Sequence, residues 1–90
     1  MHQSTELTLS RHAYIRCSQR AISSGGIDLL LEYGASRPCG GECESYFFDR
    51  RSWSSAARAL GSQIARFERY RNLYVIVAAD SVIVTVAWRQ

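Results

Sequence analysis

Ninety residues, 47% of them apolar, are enough for one compact domain, near the lower limit at which a hydrophobic core holds without metal or disulfide support. The formal charge is +3, and all 11 basic side chains are arginine. Three cysteines, an odd number, fit a reducing compartment better than a disulfide scaffold, and the most apolar region, Leu73 to Trp88, is broken by Asp80-Ser81 and too short to span a membrane.

The charge is uneven. Residues 50 to 71 carry Arg50, Arg51, Arg58, Arg66, Arg69 and Arg71 against a single acid, Glu68, whereas residues 1 to 49 are net acidic. A guanidinium stays charged at any working pH and grips phosphate through a two-pronged fork, so the cluster suits a polyanion such as RNA. The same stripe also fits an ordinary solvated face in a lysine-poor composition. Met1 to Ser10 lacks the apolar centre of a signal peptide, so the expected location is the cytoplasm, with no membrane partner.

Thr5 to Leu9 alternates polar and apolar residues and predicts a first strand, after which Ser10 is placed to cap a helix from Arg11 to about Arg20. At the helical period Ala13, Tyr14, Cys17 and Ala21 share one face, while His12, Arg16, Gln19 and Arg20 gather on the other. Ser23 or Ser24 caps a second helix through Tyr33, and Gly34 offers a left-handed stop. Pro38 and the turn Gly40-Gly41 then precede Tyr46-Phe47-Phe48, which reads as strand, so a hairpin is expected here. Asp49 or Ser52 is read as the cap of the next helix.

A third helix is expected from Trp53 to about Tyr70, with Trp53, Ala57, Leu60, Ile64 and Phe67 facing the core and Arg58, Ser62, Arg66 and Arg69 facing outward. Leu73 to Ala79 and Val82 to Arg89 predict a tight hairpin about Asp80-Ser81, with Val82, Val84, Val86 and Trp88 on one face of the last strand and Ile83, Thr85, Ala87 and Arg89 on the other. The expected class is a single α+β domain, residues 1 to 90, in which two N-terminal helices and one inserted helix pack on a small antiparallel sheet ending in a C-terminal hairpin. Tyr14, Phe47 and Val84 are placed in its core beside Cys17, Ile27, Leu30, Val75 and Val86.

Three constellations carry candidate chemistry. His12, Arg16 and Arg20, spaced i, i+4, i+8 with Gln19 beside them, offer a group that moves protons near neutral pH and cations for a charged phosphate, the needs of a metal-independent ribonuclease. Thr85 and Arg89 share a strand face and could position a phosphodiester backbone, although threonine is also simply a good strand residue. Cys39 and Cys43 flank Gly40-Gly41-Glu42, and a three-residue turn there would set the two sulfurs opposite each other; the pair reads as ordinary small side chains or as a redox-sensitive couple, and a zinc site needs two further ligands, so no metal or cofactor is expected. Arg58, Arg66 and Arg69 complete the candidate binding set.

The runs His12-Ala13-Tyr14-Ile15-Arg16, Arg20-Ala21-Ile22, Ile27-Asp28, Leu30-Leu31-Glu32-Tyr33-Gly34 and Val82-Ile83-Val84-Thr85-Val86 resemble the small bacterial proteins grouped as domain of unknown function 4258. That family is similar in layout to RelE-like and BrnT-like ribonuclease toxins, whose antiparallel sheet exposes basic and polar residues that cut RNA without metal. The resemblance implies an RNA-cleaving or RNA-binding domain with a cognate antitoxin as partner; the alternative is a non-enzymatic protein that binds a macromolecule or itself, a homodimer included. Ala21 stands where the family has glycine, which implies that this turn needs no positive φ, and the third helix is an insertion that could cover one face of the sheet.

Overall fold

The computed structural model describes Leu7 to Arg89. Its fold is α+β, with helices on one face of a five-stranded mixed sheet. In chain order the elements are β1 (Thr8–Leu9), α1 (Arg11–Gln19), α2 (Ser24–Tyr33), β2 (Ala35–Pro38), β3 (Glu44–Phe47), α3 (Arg50–Leu60), a 3₁₀ segment (Gly61–Asn72), β4 (Leu73–Val77) and β5 (Val82–Trp88). The strands lie in the order β1-β5-β4-β3-β2. All pairs are antiparallel except β1 with β5, which corrects the all-antiparallel expectation. Thr5 and Glu6, read as the start of the first strand, lie outside the described residues.

Local chemistry sets the helix starts. The Ser10 hydroxyl accepts from the Ala13 amide at 3.0 Å, the Ser23 hydroxyl from Gly26 at 3.1 Å, and the Asp49 carboxylate from Ser52 at 2.8 Å. Ser52 returns the favour by accepting from the Asp49 amide at 2.9 Å, closing a capping box. Each bond satisfies an amide that the first helical turn would otherwise leave without an acceptor.

The third helix does not run through to Tyr70. Gly61 takes φ +62° and ends α3, and the chain continues as a 3₁₀ helix to Asn72. Ile64, Phe67 and Tyr70 recur every third residue, the period at which 3₁₀ side chains stack in one row, so the tighter helix keeps all three turned inward. The inserted segment packs mainly against α2 and against itself, and it reaches the end of the sheet through Tyr70, whose ring lies 5.6 Å from that of Trp88 in β5.

Two turns differ from expectation. Gly34 is extended, not left-handed; glycine is needed because a Cβ there would lie 2.6 Å from the Leu30 carbonyl oxygen and 3.0 Å from that of Phe47. Ala21 does take a positive φ, +54°, so the left-handed turn between α1 and α2 is kept even without glycine.

The core joins Ala13 and Cys17 of α1, Ile27, Leu29 and Leu30 of α2, Ala56 of α3, Tyr70, and Leu73, Val75, Val77, Ile83 and Val86 of the sheet. Three residues expected there lie elsewhere. Tyr14 is 63% exposed. Phe47 faces away and Phe48, just beyond β3, fills the core position at 2% exposure. In β5 the register passes from Ile76 opposite Thr85 to Val77 opposite Ile83, which leaves Val84 as an extra residue and turns Ile83 inward in its place.

Candidate functional site

With every helix on one side, the other face of the sheet is left uncovered by the described residues. Strand alternation and register decide what it shows. Leu73, Val75 and Val77 point to the core, so Tyr74 and Ile76 of β4 point outward. Phe47 pairs with Tyr74, Ser45 with Ile76, and Arg37 with Ser45, which puts Arg37, Ser45 and Phe47 on the same outward face. From β5, Thr85 lies opposite Ile76 and Ala87 opposite Tyr74, with Arg89 following just past the strand end.

Within this face Arg37, Ser45, Phe47, Tyr74 and Arg89 line a cleft of about 370 Å³. The two guanidiniums flank one ring: Arg37 lies 5.1 Å and Arg89 5.8 Å from the Phe47 centroid. Such contact with the electron-rich face holds an arginine in place without neutralising it. Arg89 is held further, donating from Nη2 to the Phe48 carbonyl at 2.7 Å and to the Arg71 carbonyl at 3.3 Å. Among the described residues neither Arg37 nor Arg89 meets a carboxylate. The floor is therefore aromatic and the walls are cationic, an arrangement that can stack a planar base and hold the phosphate beside it.

Arg89 also borders a second cleft, of about 300 Å³, which it shares with Phe48, Asp49, Arg50, Trp53, Arg71 and Asn72. Here Arg71 pairs with Glu68 at 3.0 Å and lies 5.5 Å from the Trp53 ring. Asp49 keeps its carboxyl below the usual range, first because the Ser52 amide donates to it and then through the Ser52 side chain.

The structure unites Thr85 and Arg89 with this face and separates them from the helical trio. His12 and Gln19 are exposed and Arg16 and Arg20 half-buried on α1, which packs through Ala13 and Cys17 against Ile83 and Val86, on the other side of the sheet from Thr85. Among the described residues no hydrogen bond or ion pair joins these four side chains to one another. Arg58 and Arg66 are exposed on the inserted segment. Arg69 is engaged: it donates to the Ala21 carbonyl at 3.0 Å and lies 4.9 Å from the Trp88 ring and 5.5 Å from that of Tyr70. It fastens the inserted segment to the turn between α1 and α2.

Arg37, Ser45, Phe47 and Tyr74 were not singled out by the sequence. A signal was present, since Arg37, Ser45 and Phe47 are odd-numbered positions of one hairpin and Tyr74 interrupts an otherwise aliphatic strand. Reading it required the register.

Cys39 and Cys43 sit at the tip of that hairpin, with the Cys39 amide donating to the Cys43 carbonyl at 3.1 Å. The Cys39 thiol is raised above its ordinary pKa by desolvation first, then by the neighbouring Cys43 thiol and the Glu44 carboxylate. Cys17 is raised by burial in the core. Among the described residues no group of three or more His, Cys, Asp or Glu side chains is arranged to hold a metal ion. Among the described residues no helix is long and apolar enough to cross a membrane.

Comparison of the chain with protein-family models, with curated proteins and with solved structures found no match in any of the three.

Proposed function

We propose that the uncovered face of the sheet is a binding surface for single-stranded RNA, with Phe47 and Tyr74 as the platform for unpaired bases and Arg37 and Arg89 as the phosphate-holding groups. The observation that carries this reading is the pairing of Phe47 with Tyr74 at adjacent positions of neighbouring strands, between two arginines that no carboxylate neutralises among the described residues. Every base has a flat π-face, so such a platform takes unpaired bases, whereas a duplex hides those faces. Ser45 and Thr85 add hydroxyls on the same face for sugar or phosphate oxygens.

The resemblance to domain of unknown function 4258, and through it to RNA-cutting toxins, points to the same side of the sheet. The surface is read here as one that binds. Cleavage would need a group that moves a proton beside the bound phosphate, and His12 stands on the helix behind the sheet. A cognate antitoxin, as that family resemblance would have it, would compete for this face.

A second reading, self-association, is favoured by the apolar share of the same surface, since Phe47, Tyr74, Ile76 and Ala87 are all only half-buried. Fluorescence anisotropy with a short labelled single-stranded RNA, run beside light scattering, separates the two. Binding by the monomer, competed by RNA more strongly than by duplex, supports the proposal; a dimer that dissociates in Phe47→Ala and binds no RNA overturns it.

A further inference from the structure

We infer that Cys39 and Cys43 form a reversible thiol–disulfide couple at the tip of the β2–β3 hairpin, a modification site for low-molecular-weight disulfides. The register carries it. Ala35, Ser36, Arg37 and Pro38 pair with Phe47, Tyr46, Ser45 and Glu44 in turn, so the next rung sets Cys39 opposite Cys43, joined by the 3.1 Å backbone bond already described. Directly opposed residues of an antiparallel pair lie about 4.5 to 5.5 Å apart at Cα, inside the range that a disulfide spans without backbone movement.

The turn that links the two cysteines stands clear of the protein. Gly40, Gly41 and Glu42 all take positive φ, at +94°, +55° and +64°, and nothing lies within 4 Å of a Cβ built on either glycine. A dissolved disulfide can therefore reach the sulfurs. Glu42 holds this conformation without the freedom of glycine, so the turn is strained, and the Cys43 amide bond to the Gly40 carbonyl at 2.9 Å keeps it closed. Cys17 is excluded from the couple because it is buried between α1 and the sheet.

The chemistry is ordinary exchange. One thiolate of the pair attacks a sulfur of glutathione disulfide, forming a mixed disulfide and expelling glutathione thiolate. The second protein thiolate attacks the protein sulfur of that bond, closing Cys39–Cys43 and expelling a second glutathione. The two protons given up by the cysteines end on the released thiols, and the oxidant has taken two electrons. Being exposed, the bond would be readily reduced again. Closing it would fix the hairpin two residues beyond Arg37 and Ser45, at the wall of the cleft.

The whole chain, incubated with glutathione disulfide, should lose two of its three cysteine thiols, drop in mass by two hydrogens and yield a cross-linked Cys39–Cys43 peptide, with Cys17 still free. Dithiothreitol should reverse the change, and Cys43→Ser should stop at a glutathione adduct on Cys39. A persistent Cys39 adduct in the wild type, a disulfide-linked dimer, or three thiols left untouched would each overturn the inference. No RNA is involved, so the result is independent of the function proposed above.

Discussion

Arg89 leaves the end of β5 and takes hold of Phe48, its Nη2 donating at 2.7 Å to the carbonyl of a residue 41 positions away. That bond joins the last strand to the point where β3 hands over to α3. It also sets the guanidinium beside Phe47, the neighbour of its acceptor, so one contact serves both the fold and the proposed cleft. Arg89→Ala should lower stability by about 1 kcal/mol, the usual net value of a hydrogen bond, and reduce the slope of log affinity for single-stranded RNA against log salt by about 0.7. Thermal melts and a salt titration read the two effects separately. Unchanged salt dependence would remove Arg89 from the phosphate site.

Replacing Phe47 or Tyr74 with alanine tests the platform. Both side chains face away from the core, so the melting temperature should change little. Affinity for single-stranded RNA should fall roughly 5-fold to 150-fold, the value of about 1 to 3 kcal/mol for one stacked base. His12→Ala, on the far side of the sheet, should leave affinity as it is. Equal losses from His12→Ala and Phe47→Ala in anisotropy titrations would dissolve the proposed site.

Gly26 and Tyr70 test the packing of the inserted segment. A Cβ on Gly26 would lie 2.5 to 2.7 Å from three carbons of the Tyr70 ring. The ring cannot simply withdraw, because its hydroxyl accepts from the Ser23 amide at 2.9 Å and donates to the Ser23 hydroxyl at 3.1 Å. Alanine in a helix gains up to about 1 kcal/mol over glycine, but overpacking costs about 1 to 3 kcal/mol and a displaced Tyr70 loses the cap bonds as well. Gly26→Ala should therefore destabilise, by chemical denaturation. A stabilised variant would mean that the 3₁₀ segment yields freely.

Asp49 gives the pH dependence its sign. Its folded pKa is depressed by the Ser52 amide and side chain, so its contribution is complete above the unfolded value of about 3.9 and disappears as pH falls through the folded value. Asp49→Asn should narrow the difference in melting temperature between neutral and strongly acidic pH. Parallel melting curves for variant and wild type across that range would show that the cap does not depend on the carboxylate charge.

What the sequence determined by itself was local. Ser10 caps the first helix as read, and of the two candidates offered for each later start Ser23 and Asp49 are the caps. Trp53, Leu60, Ile64 and Phe67 pack toward the core and Arg58 and Arg66 are exposed, although Ala56 and not Ala57 is buried. Caps and helical faces are legible because they depend on neighbours within a turn or two. The β4–β5 hairpin was legible for the same reason. The site was not. Whether Phe47 or Phe48 enters the core, and whether Ile83 or Val84 does, turns on a slip of one residue, and in a strand one residue reverses the face. Tertiary packing made that choice when it placed the helices against one side of the sheet and let the inserted segment pack on α2. It thereby left Arg37, Phe47, Tyr74 and Arg89, residues brought together from four stretches of chain, on the side where no helix of the described residues lies.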